Sequence, residues 1–128
     1  MPHLRLEYSA NLDQRADMSA VCRAAHEAIL SSGLFEIGAP RVRAYPAPHY
    51  AIADRHVENG FVDMVFRLGA GRSAEDKKRA GDAIMAAVAA ELAPLLAAPH
   101  FALSLEVVEI DPALSWKKNS MHARLRDQ

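Results

Sequence analysis

Pro2 follows Met1 directly, and a proline at that position can become a base without any side-chain functional group. Removal of Met1 turns its nitrogen from an amide into a secondary amine. An α-amino group ordinarily titrates at roughly 8. Burial and nearby cations disfavour its charged form and draw that value toward neutrality. A base with a pKa near working pH suits proton transfer. Many chains begin Met-Pro without using the nitrogen, so the dipeptide gains meaning only from its surroundings.

Cations are the relevant surroundings. Arg41 and Arg43 stand two residues apart in an alternating segment. On a strand they share a face, with Cα atoms about 6.5–7 Å apart. Arg72 lies between a glycine turn and a helix start, where the helix end favours anions. Its guanidinium adds a bidentate fork for a carboxylate. Three such residues point to a di- or tricarboxylate ligand and would depress the pKa of a nearby amine. The alternative is that they are solvated or pair with Glu7, Asp63 or Glu106 across a sheet. His3, beside Pro2, either lines a site or faces solvent.

Other constellations are weaker. Gly69 to Ala74 loosely fits a GxGxxA dinucleotide pattern. The acidic residue expected about twenty positions on is Glu91, inside a helix rather than at a strand end, and the chain is short for a doubly wound fold. A nicotinamide site is therefore rejected. The histidines at 3, 26, 49, 56, 100 and 122 show no helix-spaced metal pair, and Cys22 is the single cysteine. A zinc site is therefore not expected, nothing marks a nucleophile elbow, and no internal disulfide is possible.

The elements that must position these residues follow from hydrophobic period. Leu4, Leu6 and Tyr8 alternate with His3, Arg5 and Glu7 as a half-buried strand. Asp17 can cap a helix whose stripe is Met18, Val21, Cys22, Ala25 and Ile29, with Gly33 as its left-handed stop. Residues 40–45 alternate again, and Pro46 and Pro48 place that strand at an edge or in a loop. Val62, Met64, Phe66 and Leu68 form a third strand. Ser73, with Asp76, opens a second helix over Ala80–Leu95, which Pro94 kinks or ends. Phe101, Leu103, Leu105 and Val107 mark a fourth strand, and residues 111–128 form a polar tail with Trp116. The order is βαββαβ: an α+β fold whose four-stranded mixed sheet carries two helices on one face. The other face, half polar and half apolar, invites a partner subunit.

One domain, residues 1–128, accommodates all of this. The formal net charge of −1 gives no general attraction to nucleic acid or an acidic membrane surface. Ala80–Ala98 contains Asp82, Glu91 and Pro94 and reads as a core helix, not a membrane span. No basic stretch followed by an apolar run suggests a signal peptide, so a cytoplasmic location is expected.

The motifs, taken together, resemble the 5-carboxymethyl-2-hydroxymuconate isomerases of the tautomerase superfamily. The matching pieces are Met1-Pro2-His3 with Glu7, Ser9 and Asn11; Gly33 to Phe35; Arg41-Val42-Arg43; and Gly69-Ala70-Gly71-Arg72-Ser73. Further on they include Ala102-Leu103-Ser104 with Glu106 and Glu109, then Lys117, Asn119, His122 and Ala123. The resemblance implies a homotrimer of βαββαβ subunits, without cofactor, acting in bacterial homoprotocatechuate breakdown. It makes Pro2 the proton shuttle, with Arg72 and Arg41 on the carboxylate and 2-oxo groups and Arg43 as a further substrate contact; His3, beside Pro2, is added as a substrate-binding candidate. The 111–128 tail is expected to pack on a neighbouring subunit. Ala44–Asn59 departs from the pattern, with two extra prolines, His49 and His56. This keeps two alternatives in view: a tautomerase for another 2-oxo acid, and a non-enzymatic anion-binding module.

Overall fold

The structure is a computed structural model that describes residues 1–127. Alternation in the first strand, β1 (His3–Ser9), puts Leu4, Leu6 and Tyr8 into the interior. This strand is central. It pairs in parallel with β2 (Arg41–Ala47) and antiparallel with β3 (Gly60–Gly69), which pairs in parallel with β4 (Phe101–Ile110). The sheet order is β2-β1-β3-β4, so β2 lies at an edge, where the ring nitrogen of Pro46 need not serve a second neighbour.

Helices α1 (Met18–Ser31) and α2 (Ala74–Glu91) cover one sheet face. Val21, Ala25 and Ile29 from α1 and Ala80, Ile84 and Val88 from α2 join the inward strand residues in one core. The Asp17 side chain accepts from Ala20 N at 3.1 Å and starts α1. Gly33, at φ +73°, follows its end with a backbone that other residues adopt only under strain. Ser73 Oγ accepts from Asp76 N at 3.0 Å and starts α2. That helix stops at Glu91, and Pro94 sits in the first turn of a separate short helix, α3 (Ala93–Leu96), where its missing N–H costs nothing.

Three segments differ from expectation. Residues Ala10–Gln14, for which hydrophobic period gave no element, form a 3-10 turn with Leu12 fully buried. β4 continues past Val107 to Ile110 because its ladder with Leu68 and Gly69 needs only backbone. The tail is not featureless: it contains a 3-10 turn at Pro112–Leu114 and a helix, α4 (Ser120–Arg126). Asn119 caps α4 by accepting from Met121 N and also donates to Gly38 O, both at 2.9 Å. Arg126 grips Glu36 with Nε and Nη2, each at 2.6 Å. These contacts dock α4 on its own chain, while Trp116 remains 86% exposed. Among the described residues, no helix is long and apolar enough to cross a membrane.

Ile84 is fully buried between α2 and the sheet. Ile84→Ala should cost about 2–5 kcal/mol, read as a lower denaturation midpoint with unchanged denaturant slope.

Candidate functional site

The sheet brings the start of β1 beside the tail. A cavity of about 550 Å³ opens there, with Met1 and Pro2 among its walls. Pro2 is buried, and its carbonyl accepts from Arg41 N at 3.1 Å, which holds it against the start of β2. Leu34 and Phe35, from the loop after α1, supply an apolar wall. Lys117, Asn119 and His122 come from the tail.

Arg72 is the best-anchored cation. Gly71, at φ +106°, makes the turn that leads into it. Its Nη1 donates to Gly69 O at 3.3 Å and its Nη2 to Leu34 O at 3.1 Å. The guanidinium lies 4.4 Å from the centre of the Phe35 ring, a cation–π contact worth about 0.5–2 kcal/mol. Phe35 packs edge-on against buried Phe66, at 6.0 Å and 85°. A guanidinium has five N–H donors, so Arg72 retains donors for an anion.

Pro2 nitrogen is an amide while Met1 is attached, so the α-amine at this end of the chain is that of Met1. Its pKa is lowered from 8.0 to about 6. Burial is the main cause, followed by the charge and hydrogen bond of Lys117 and then the charges of Arg72 and Arg41. The surroundings of this chain end thus disfavour a protonated amine.

Arg41 and His3 lie in an adjoining hollow that shares Met1 and Lys117 with the cavity. Arg41 Nη1 donates to Ala39 O. Arg43 lies one strand pair further along, in a third hollow with Arg5, Glu7 and Tyr45. Its Nη1 is 3.1 Å from His3 Nδ1. The charged form of His3 is disfavoured by burial, then by Arg43, Arg67, Arg41 and the terminal amine. Within one chain, therefore, Pro2 and Arg72 share the cavity, Arg41 and His3 sit next to it, and Arg43 does not line it. Among the described residues, none of these three arginines forms an ion pair with an acid, so the predicted alternative partners Glu7, Asp63 and Glu106 do not neutralise them.

Sequence reasoning missed Glu36 and Arg126, which also line the cavity. They are 90 positions apart, and no local spacing links them. It also missed a possible metal-ligand group: His56, Glu58 and His100 have ligand atoms within 4.8 Å of one another. The two imidazoles are stacked at 4.3 Å, and His56 Nδ1 already accepts from Glu58 N. This group belongs to the loop before β3 and the start of β4, at the Ser9 end of β1. β1 separates it from Pro2 by roughly 20 Å. The unusual Ala44–Asn59 segment runs to that same end and does not border the cavity of its own chain.

The 5-carboxymethyl-2-hydroxymuconate isomerase family model matches residues 2–125. The chain belongs to that family. It is 30% identical over 123 residues to the 5-carboxymethyl-2-hydroxymuconate Delta-isomerase of Escherichia coli, covering 96% of this chain and 98% of that one. A crystal structure of a 5-carboxymethyl-2-hydroxymuconate isomerase from Deinococcus radiodurans R1 superposes with TM-score 0.89 at 38% identity, covering 96% of this chain and 92% of that one. Another crystal structure of a 5-carboxymethyl-2-hydroxymuconate delta-isomerase gives TM-score 0.88 at 39% identity, covering 97% and 92%. The fold extends to a fused 4-OT symmetric trimer, with TM-score 0.64 at 19% identity over 86% of this chain and 88% of that one. The protein is thus an isomerase with the tautomerase fold.

The terminal amine offers a direct test of the site's electrostatics in protein that retains Met1. Between pH 6 and 8 the folded amine has lost its proton while the unfolded one keeps it. The unfolded state then binds more protons, so stability should rise with pH across this window. Titration of a labelled Met1 should give a midpoint near 6; a midpoint at 8 would remove the cationic, partly buried environment.

Proposed function

We propose that the chain isomerises 5-carboxymethyl-2-hydroxymuconate to its 2-oxo-3-ene isomer, with Pro2 as the proton carrier once Met1 has been removed. Buried Pro2 and anchored Arg72 on the same cavity wall carry this reading, and family membership supports it. Pro2 nitrogen takes the proton of the 2-hydroxyl. The C=C bonds shift along the chain as the oxygen becomes a carbonyl. The proton then returns at C5, so the reaction is balanced without an added reactant. Arg72 holds a carboxylate and the oxygen on which negative charge develops. Arg41 and His3, in the adjoining hollow, meet the substrate from the β2 side.

The same reading places the enzyme in homoprotocatechuate breakdown in the cytoplasm, as a homotrimer. Exposed Tyr45 on the uncovered side of the sheet, and Trp116 on the tail, are surfaces suited to subunit contact. Arg43, on that uncovered side, enters a site only if the neighbouring subunit brings the two together.

Intact mass of the active protein should show Met1 absent. Pro2→Ala should lower kcat/KM by at least about 100-fold, and Arg72→Ala by about 100- to 1,000-fold with a higher KM. A spectrophotometric assay of enol loss measures both. Wild-type rates in Pro2→Ala would sink the proton-transfer role.

A further inference from the structure

The proposed substrate carries three carboxylates, and the Arg72 fork grips one at a time. The tail side of the cavity offers a second set of donors. His122 is a half-buried lining residue of α4, and its Nδ1 is fully buried without a hydrogen-bond partner. Glu36 Oε2 lies 3.5 Å from that nitrogen, within range for charge attraction but long for a hydrogen bond. Glu36 is instead engaged by the Arg126 fork. Gly38 closes the ring's other flank: a Cβ there would stand only 3.0 Å from Nδ1. With Nδ1 enclosed by Gly38 and Glu36, Nε2 is the nitrogen left to face the cavity. Neither nitrogen of this imidazole makes a hydrogen bond among the described residues, so Nε2 is free to serve a ligand in the cavity.

Lys117 lies in the same tail, against the terminal residue, and lines the same cavity. The reaction brings the substrate to this place. The carbon that receives the proton from Pro2 is the one that bears the carboxymethyl arm, so the arm must hang beside Pro2, where the tail forms the wall.

We infer that His122, with Lys117, forms a carboxylate seat that reads the carboxymethyl arm and so sets substrate specificity. This rests on the reaction proposed above. His122 donates from its Nε2–H, and Glu36 lies beside Nδ1. The charged groups that share the cavity with the ring are Glu36 from the loop, Arg126 from α4, Lys117 from the tail and Arg72 from the turn after β3. Arg72 keeps the carboxylate next to the 2-oxygen, so the two seats hold the anion at the turn after β3 and at the tail.

Calorimetry with two unreactive ligands tests this apart from turnover. Pentane-1,2,5-tricarboxylate has the arm on a saturated six-carbon diacid; adipate is the same diacid without it. His122→Ala should weaken the tricarboxylate about tenfold and adipate by less than twofold. Gly38→Ala keeps every polar group and displaces the ring, so it should give the same selective loss, about threefold. Equal losses for both ligands in either variant would mean a merely structural role and overturn the seat, as would unchanged tricarboxylate affinity. In turnover, His122→Ala should raise KM for 5-carboxymethyl-2-hydroxymuconate and leave kcat and the KM for 2-hydroxymuconate within about twofold. A wild-type protein that isomerises neither would defeat the proposed reaction while leaving the calorimetric comparison readable.

Discussion

The guanidinium of Arg72 joins three parts of the chain that are distant in sequence. It donates to the carbonyl that ends β3 and to Leu34 in the loop after α1, and it lies on the Phe35 ring, which rests edge-on against core Phe66. The hydrophobic core therefore fixes the ring, the ring supports the cation, and the cation fixes the loop that walls the cavity. Lysine could not replace it, because an ammonium lacks the planar fork that reaches two carbonyls while stacking on an arene. The site's geometry is thus an extension of core packing rather than an addition to its surface.

The second constraint is the central place of β1. Hydrogen-bonded on both sides, it cannot fray as an edge strand does, and Pro2 precedes it directly. A chain end is normally mobile. Here Arg41 N holds Pro2 O, so the residue next to the chain end is fixed in place like a residue within a strand. The cations around it make a protonated amine unfavourable.

Much of this was legible locally. The alternation of Leu4, Leu6 and Tyr8, the caps at Asp17 and Ser73, and the Gly33 stop each depend on short-range physics, and each appears where expected. Pro2 and Arg72 stood out because their chemistry is written in adjacent residues. Arg43 shows where spacing runs out. It shares a strand face with Arg41, but only Arg41 is close enough to the sheet's end to reach the hollow beside Pro2. The tail failed for another reason. A helix as short as α4 has too few turns to show a hydrophobic period, and it is held by Gly38 and Glu36, far back in the chain. His122 and Glu36 could be paired only once that docking was seen.

The attachment of α4 has a consequence for ionic strength. Arg126 and Glu36 are both substantially exposed, at 59% and 52% of their side chains. Such a pair contributes little in water and is screened further by salt, over a Debye length of about 8 Å at physiological ionic strength. One wall of the cavity is therefore held partly by a contact that electrolyte weakens, while Arg72, braced by carbonyls and an aromatic ring, is much less sensitive. Added salt should therefore loosen one wall of the cavity while leaving the Arg72 side in place.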